Sequence, residues 1–262
     1  MMNVTMEIMG CGGSAGVPMA SGEWGRCNPK NPKNTRLRSA VAFYYEGVER
    51  KQAILVDTGP DFRQQILTAG IRDIAAVIIT HAHTDHLAGL DDLRPFYFET
   101  HQPIPVIAFP EVLENIRLRY PYLFGGGRKG YYDAAFLEAI EVEPEMQWHG
   151  MKFRFFEQDH GACRSLGLRL GNTAYSTDVL RLNDYAFAQL QGIEQWVVSA
   201  VRREPHVAHA HLAQVVEWIN GLGVSAAYLT HMNHSMDYDE LLQELPPHIR
   251  PAHDGLKLVI AD

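Results

Sequence analysis

Short apolar runs rich in β-branched and aromatic residues recur along the chain: VTMEIM, AVAFYY, QAILVD, AAVIIT, PVIAF, KFRFFE, LGLRL, TAYST, WVVSA, AAYLT and LKLVI. Their length and residue types predict strands. The segment EGVERKQ separates AFYY from AILV, and only Gly-Asn separates LGLRL from TAYST, so both pairs are predicted hairpins. A different spacing marks helices. Leu212, Val215, Val216 and Ile219 fall on one helical face, and Val112, Leu113, Ile116 and Leu118 do so less strictly. The mixture predicts sheets flanked by helices.

The strand pattern carries an echo. AILVD ends on Asp57 and AVIIT runs into His81; in the second half TAYSTD ends on Asp178 and AAYLT runs into His231. Two similar half-domains packed sheet to sheet, with polar residues at strand ends along one edge, would produce it. No low-complexity linker divides the chain, so residues 1–262 read as one domain. Two glycine-rich segments, GGSAGVPMASGEWGRCNPKNPKN and FGGGRKGYYD, are candidates for a lid or for exposed surface loops.

Composition narrows the partners. The 262 residues are 46% hydrophobic and carry 23 Lys+Arg against 31 Asp+Glu, a formal charge of −8. Scattered charge of that sign disfavours stable binding of nucleic acid. The beginning MMNVTMEIMGCGG has no basic stretch and no long apolar stretch, and no later run is long enough to span a membrane, so a cytoplasmic location without membrane contact is expected. The three cysteines, Cys11, Cys27 and Cys163, form no C-x-x-C pair, which argues against a disulfide framework or a cysteine-rich zinc site.

The chemistry concentrates in VIITHAHTDHLAGL, where His81, His83, Asp85 and His86 fall within six consecutive residues. Chance spacing would yield His-x-His-x-Asp-His in roughly two such chains per thousand. If AVIIT is a strand, His81 and His83 point to one side and can reach one ion, while Asp85 and His86 follow where the chain turns and face a neighbouring position. Imidazole and carboxylate suit zinc, manganese or iron. Further donors are expected from His160, Asp178 and His231, each just after a predicted strand.

The ordered set Asp57, THAHTDH, His160, Asp178 and His231 resembles the five motifs of the metallo-β-lactamase fold hydrolases, over essentially the whole chain. The resemblance implies an α/β fold, an αββα sandwich of two mixed sheets packed face to face. It also implies that His81, His83 and His160 hold one divalent ion, that Asp85, His86 and His231 hold a second, that Asp178 bridges both, and that Asp57 supports the ligand loop from behind. GCGGSAGVP looks like the glycine-rich first turn of the tRNA 3′-processing nucleases and of the PhnP-type phosphodiesterases, the latter acting on phosphoribosyl cyclic phosphate, and THMNH and HDGLKLVI look like the corresponding PhnP segments. AHAHLAQVVEWI resembles the segment where these enzymes place a histidine beside the scissile phosphate. His209 matches that position, with His211 as the competitor. Asp85 and His209 are the candidate catalytic residues, His209 also touching substrate.

Two departures from that branch stand out. Its members carry a cysteine cluster that holds a structural zinc with a second histidine; here only Cys27 and His234 remain, too few for about four ligands, so no structural zinc is expected. The glycine-rich arm with which tRNA 3′-processing enzymes grip tRNA is also missing, since FGGGRKGYYD is too short. The expected activity is therefore hydrolysis of a small, cyclic or nucleotide-like phosphodiester by a hydroxide shared between two ions about 3.5–4 Å apart. A thioester or lactone hydrolase, a tRNA-processing nuclease and a metal-stabilised ligand-binding module are the rivals. Arg94, Phe96, Tyr97, Arg128, Tyr131 and Tyr132 are candidate pocket residues, and the resemblance implies a homodimer.

Overall fold

In AVAFYY, Val41 and Phe43 enter the core between two sheets while Ala42 and Tyr44 enter the layer under the helices. A strand covered on both faces is buried along its whole length in this way. The computed structural model describes residues 4–45, 51–125 and 134–260. Its strands are β1 (Val4–Gly10), β2 (Ala40–Tyr45), β3 (Gln52–Val56), β4 (Asp73–Ile78), β5 (Ile104–Ala108), β6 (Leu137–Glu141), β7 (Glu145–Trp148), β8 (Met151–Asp159), β9 (Arg164–Leu170), β10 (Thr173–Ser176), β11 (Gln195–Ser199), β12 (Ala226–Thr230), β13 (Ile249–Pro251) and β14 (Leu256–Ile260).

They form two seven-stranded sheets, ordered β14-β1-β2-β3-β4-β5-β6 and β13-β12-β11-β10-β9-β8-β7. The sheets pack face to face with helices outside, an αββα sandwich. Between them Phe43 of β2 meets Phe153 of β8 edge to face, with ring centroids 5.4 Å apart. Burying each such ring contributes about 1.5–3 kcal/mol. Of the predicted helices, Leu212–Leu222 buries Val215 and Ile219, and Pro110–Arg119 buries Val112, Leu113 and Ile116 while leaving Leu118 exposed. The Gly-Asn hairpin joins β9 to β10; the turn between β2 and β3 lies outside the described residues.

Both sheets repeat one pattern of pairing. From the β14 edge and from the β7 edge alike, three antiparallel pairs are followed by three parallel ones. Hence β3 corresponds to β10, β4 to β11 and β5 to β12. Asp57 and Asp178 end counterpart strands. His81 and His231 do not, because His81 follows β4 whereas His231 follows the counterpart of β5; that half of the sequence echo is a coincidence of residue types.

The segment after Gly12 is pinned, which corrects its candidacy as a lid. Gly13 N–H donates to Met232 O and Val17 N–H to Arg36 O. The Arg36 guanidinium, 1% exposed, donates to Met236 O at 2.6 Å, Asn233 O at 3.2 Å, Asn34 Oδ1 at 3.2 Å and Cys27 Sγ at 3.8 Å. Asp237 closes the same knot by accepting from Asn34 Nδ2 at 2.7 Å and Asn28 N–H at 2.8 Å. Arg36→Ala should lower stability in urea unfolding by about 2–4 kcal/mol, since several buried acceptors lose their donor. Exposed Arg26→Ala should change it by less than about 0.5 kcal/mol.

Candidate metal centre

Parallel and antiparallel order bring the C-terminal ends of β3, β4, β8, β10 and β12 to one edge of the sandwich. Asp57, His81, His160, Asp178 and His231 lie just past those ends. Asp57, Asp178 and His231 have φ of +65°, +50° and +53°. This left-handed turn costs a residue with a Cβ about 1–2 kcal/mol, and the cost is tolerated where it aims a side chain. His83 stays extended at the head of the short helix Thr84–Leu87, whose turn carries Asp85 and His86. Gly59 lets the Asp57 turn lie on this helix: a Cβ there would sit 2.1 Å from Asp85 O.

Four groups of donors converge here: His81, His83 and His160; His81, His86 and Asp178; Asp85, His86 and His231; and His160, Asp178 and His209. Asp178 Oδ2 lies 3.0 Å from His86 Nε2 and 3.2 Å from His231 Nε2, while its Oδ1 lies 3.5 Å from both His160 Nε2 and His209 Nδ1. Its two oxygens therefore face different sets of imidazoles. Asp85 Oδ2 completes one set at 3.3 Å from His86 Nε2 and 3.5 Å from His231 Nε2. His83 Nδ1 completes the other at 3.3 Å from His160 Nε2. Donors about 2.1 Å from a common ion, at tetrahedral or octahedral angles, stand roughly 3.0–3.4 Å apart, so these spacings fit metal ions.

The tautomers fit as well. Asp57 Oδ2 accepts from His86 Nδ1–H at 2.6 Å. Thr80 Oγ1 donates to Asp57 at 2.9–3.0 Å and so accepts from His81 Nδ1–H at 3.0 Å. Ala208 O accepts from His160 Nδ1–H at 2.7 Å. Each bond leaves Nε2 free as a ligand atom. His81 Nε2, His86 Nε2 and His231 Nε2 are buried and make no hydrogen bond. Three carboxylates, from Asp57, Asp85 and Asp178, also gather there with side chains no more than 14% exposed. Divalent cations would supply the charge they lack.

Burial, the neighbouring imidazoles and their hydrogen bonds set the carboxylates apart. Asp178 is held well below the usual range by His231 and His86 against the cost of burial, whereas burial raises Asp57. Burial lowers His81 and His160 and takes His209 down to about 3. His86 goes the other way: burial pulls it down, but Asp178 and Asp57 outweigh that and hold it well above its ordinary value.

His209 stacks on His231 with ring centroids 5.2 Å apart and meets His160 at 4.7 Å. His211 instead occupies the N-cap position of Leu212–Leu222. His234 lies against Gly25, its carbonyl accepting from Arg26 N–H, and neither it nor Cys27 belongs to a donor group among the described residues. Arg94 pairs with Asp91, and Phe96 and Tyr97 pack into the layer beneath the helices; Arg128, Tyr131 and Tyr132 lie outside the described residues. Sequence reasoning missed Thr80 and the Ala208 carbonyl. The first adjoins a candidate ligand, His81, without being a ligand type, and a backbone oxygen has no residue signature.

Such a sandwich with a shared carboxylate between two histidine-rich donor sets defines a class, and the comparisons agree. Residues 52–232 match the beta-lactamase superfamily domain, so the chain belongs to that superfamily, which points to a metal-dependent hydrolase requiring divalent ions. It is similar to the crystal structure of a new diphosphatase from the PhnP family, at 32% identity and a TM-score of 0.89, covering 99% of this chain and 98% of that one. Human tRNase Z, short form, shares the fold at 16% identity and a TM-score of 0.68 over 98% of this chain and 100% of that one. An octanoyltransferase of Porphyromonas gingivalis is 33% identical over 258 residues, 97% of this chain and 51% of that protein. The chain thus spans about half the length of the curated relatives it matches. No helix of the described residues is long and apolar enough to cross a membrane.

A metal-binding imidazole must be neutral at its ligand atom. Because His86 is held well above its ordinary value, metal uptake should release at least one proton per chain, with affinity falling as pH falls. Calorimetry in buffers of different ionisation enthalpy reads this directly, and zero release would contradict it. Asp57→Ala should weaken metal binding by roughly 10–100-fold.

Proposed function

We propose that this protein hydrolyses a small phosphodiester of a ribose phosphate or nucleotide with the help of two divalent ions, zinc or manganese, with iron also compatible with the donor set. The observation that carries the reading is His209 beside the shared Asp178 carboxylate: an imidazole faces the place where two donor groups meet, without being needed to complete either. Likeness to a PhnP-family diphosphatase along nearly the whole of both chains supports phosphorus as the atom attacked.

His81, His83 and His160 would hold one ion and Asp85, His86 and His231 the other, with Asp178 between. Bound there, the ions supply a water acidic enough to attack near neutral pH and neutralise charge on the phosphoryl oxygens. The chain does the rest. Asp57 and Thr80 keep His81 and His86 turned to the site, and the exposed edge at His83 leaves an entrance for substrate. His209, uncharged at neutral pH, donates an N–H to the leaving oxygen and stabilises its growing negative charge.

Two relatives suggest other substrates. A diphosphate, as in the name of the PhnP-family neighbour, would leave as phosphate instead of alkoxide. An acyl thioester fits the relative named for octanoyl transfer, though as much chain again lies outside that match. The same ions can activate water for attack on carbonyl carbon. Metal-loaded protein should cleave bis(p-nitrophenyl) phosphate well above the rate for an octanoyl thioester, and the reverse order would overturn the reading; ADP-ribose assayed alongside reports on the diphosphate. His209→Ala should lower kcat about 10²–10⁴-fold with metal content intact. Metal loss in that variant would make His209 a ligand.

A further inference from the structure

The loop between β11 and the helix Leu212–Leu222 is braced against the metal centre. Arg202 donates to Glu204 O at 3.2 Å and Pro205 O at 2.7 Å within the loop. Ala210 N–H donates to Val179 O at 2.7 Å, next to Asp178, and the Ala208 carbonyl holds the His160 ring. The His160 loop also packs directly on this segment, since a Cβ on Gly161 would sit 3.2 Å from Val207 O. Side chains on so constrained a loop are held in place relative to the ligands. Two of them are imidazoles: His209, and His206 with its ring centroid 5.0 Å away at a tilt of 46°.

His206 is half-buried, and its Nδ1 accepts the Ala208 N–H at 3.2 Å. A ring nitrogen that accepts has no hydrogen, so the hydrogen sits on Nε2. An Asp would serve as well for the local turn contact. What the imidazole adds is a second polar atom, a donor, beyond the turn. Next to it Val207 is 86% exposed. The loop tip therefore offers an N–H donor and an apolar surface beside His209, a combination suited to a sugar or nucleoside, which carries oxygen acceptors and apolar faces.

We propose that His206 is a substrate-binding residue of this site: its Nε2–H donates to an oxygen of a sugar-containing leaving group that departs past His209, with Val207 against the apolar face of that group. The proposal rests on the phosphodiesterase reading above. It is tested with two diesters, adenosine 2′,3′-cyclic phosphate, whose leaving group is a ribose oxygen, and bis(p-nitrophenyl) phosphate, whose leaving group carries no sugar. His206→Ala should lower kcat/KM for the cyclic nucleotide roughly tenfold more than for the aryl diester, the worth of one hydrogen bond. His206→Gln keeps an N–H donor and should restore part of that selectivity, with metal content equal in all three proteins. Equal losses on both diesters, no loss on the cyclic nucleotide, or no advantage of Gln over Ala overturns the assignment. Wild-type protein that cleaves only the aryl diester also overturns it while sparing the phosphodiesterase reading; wild-type protein that cleaves neither removes both.

Discussion

A carboxylate with 2% of its side chain exposed needs positive charge close by, and the structure is arranged around that requirement at Asp178. One oxygen faces His86 and His231, the other His160 and His209. Asp57 and Asp85 add negative charge nearby, more than one raised imidazole can balance. The remaining features follow from holding these groups together without their own counterions. Backbone in the left-handed region turns Asp57, Asp178 and His231 inward. Thr177 Oγ1 donates to Asp178 Oδ2 at 2.8 Å, and Ser165 Oγ anchors its carbonyl at 2.8 Å. The Asp57–Thr80 pair and the Ala208 carbonyl fix which nitrogen His81, His86 and His160 present.

What could be read from the sequence, and what could not, divides along physical lines. Interior strands announced themselves, because burial on both faces demands continuous apolar runs. The strands missed, β6, β7 and β13, are three of the four sheet edges. LEAIE and EMQW carry exposed Glu and Gln, and Ile249–Pro251 is three residues long, as edge strands tend to be. Donor residues with ligand chemistry were visible from THAHTDH outward, and the structure gathers all of them. The supporting Thr80 hydroxyl and Ala208 carbonyl were invisible, since only the fold brings them to their histidines. Asp57 and Asp178 follow counterpart strands and share the same left-handed turn, whereas the Thr-His of His81 and of His231 follow strands that are not counterparts.

Ligand geometry and substrate choice reside in different parts of the molecule. The candidate donors sit at strand ends braced by both sheets, and a metal pair held there would serve phosphorus or carbonyl chemistry alike. In the proposed reading, choice between substrates falls to what surrounds the open side, above all the braced loop that carries His206, Val207 and His209. The family match over residues 52–232 points to a metal-dependent hydrolase, and the proposed substrate reading rests on the loop.

The central claim is that two ions flanking Asp178 act together on a phosphodiester. The most direct measurement is a titration of metal-free protein with zinc or manganese, following bound metal and hydrolysis of bis(p-nitrophenyl) phosphate in the same samples. The account predicts two ions per chain and activity that rises with occupancy of the second. Full activity at one ion per chain, or two ions bound without any hydrolysis, would contradict it.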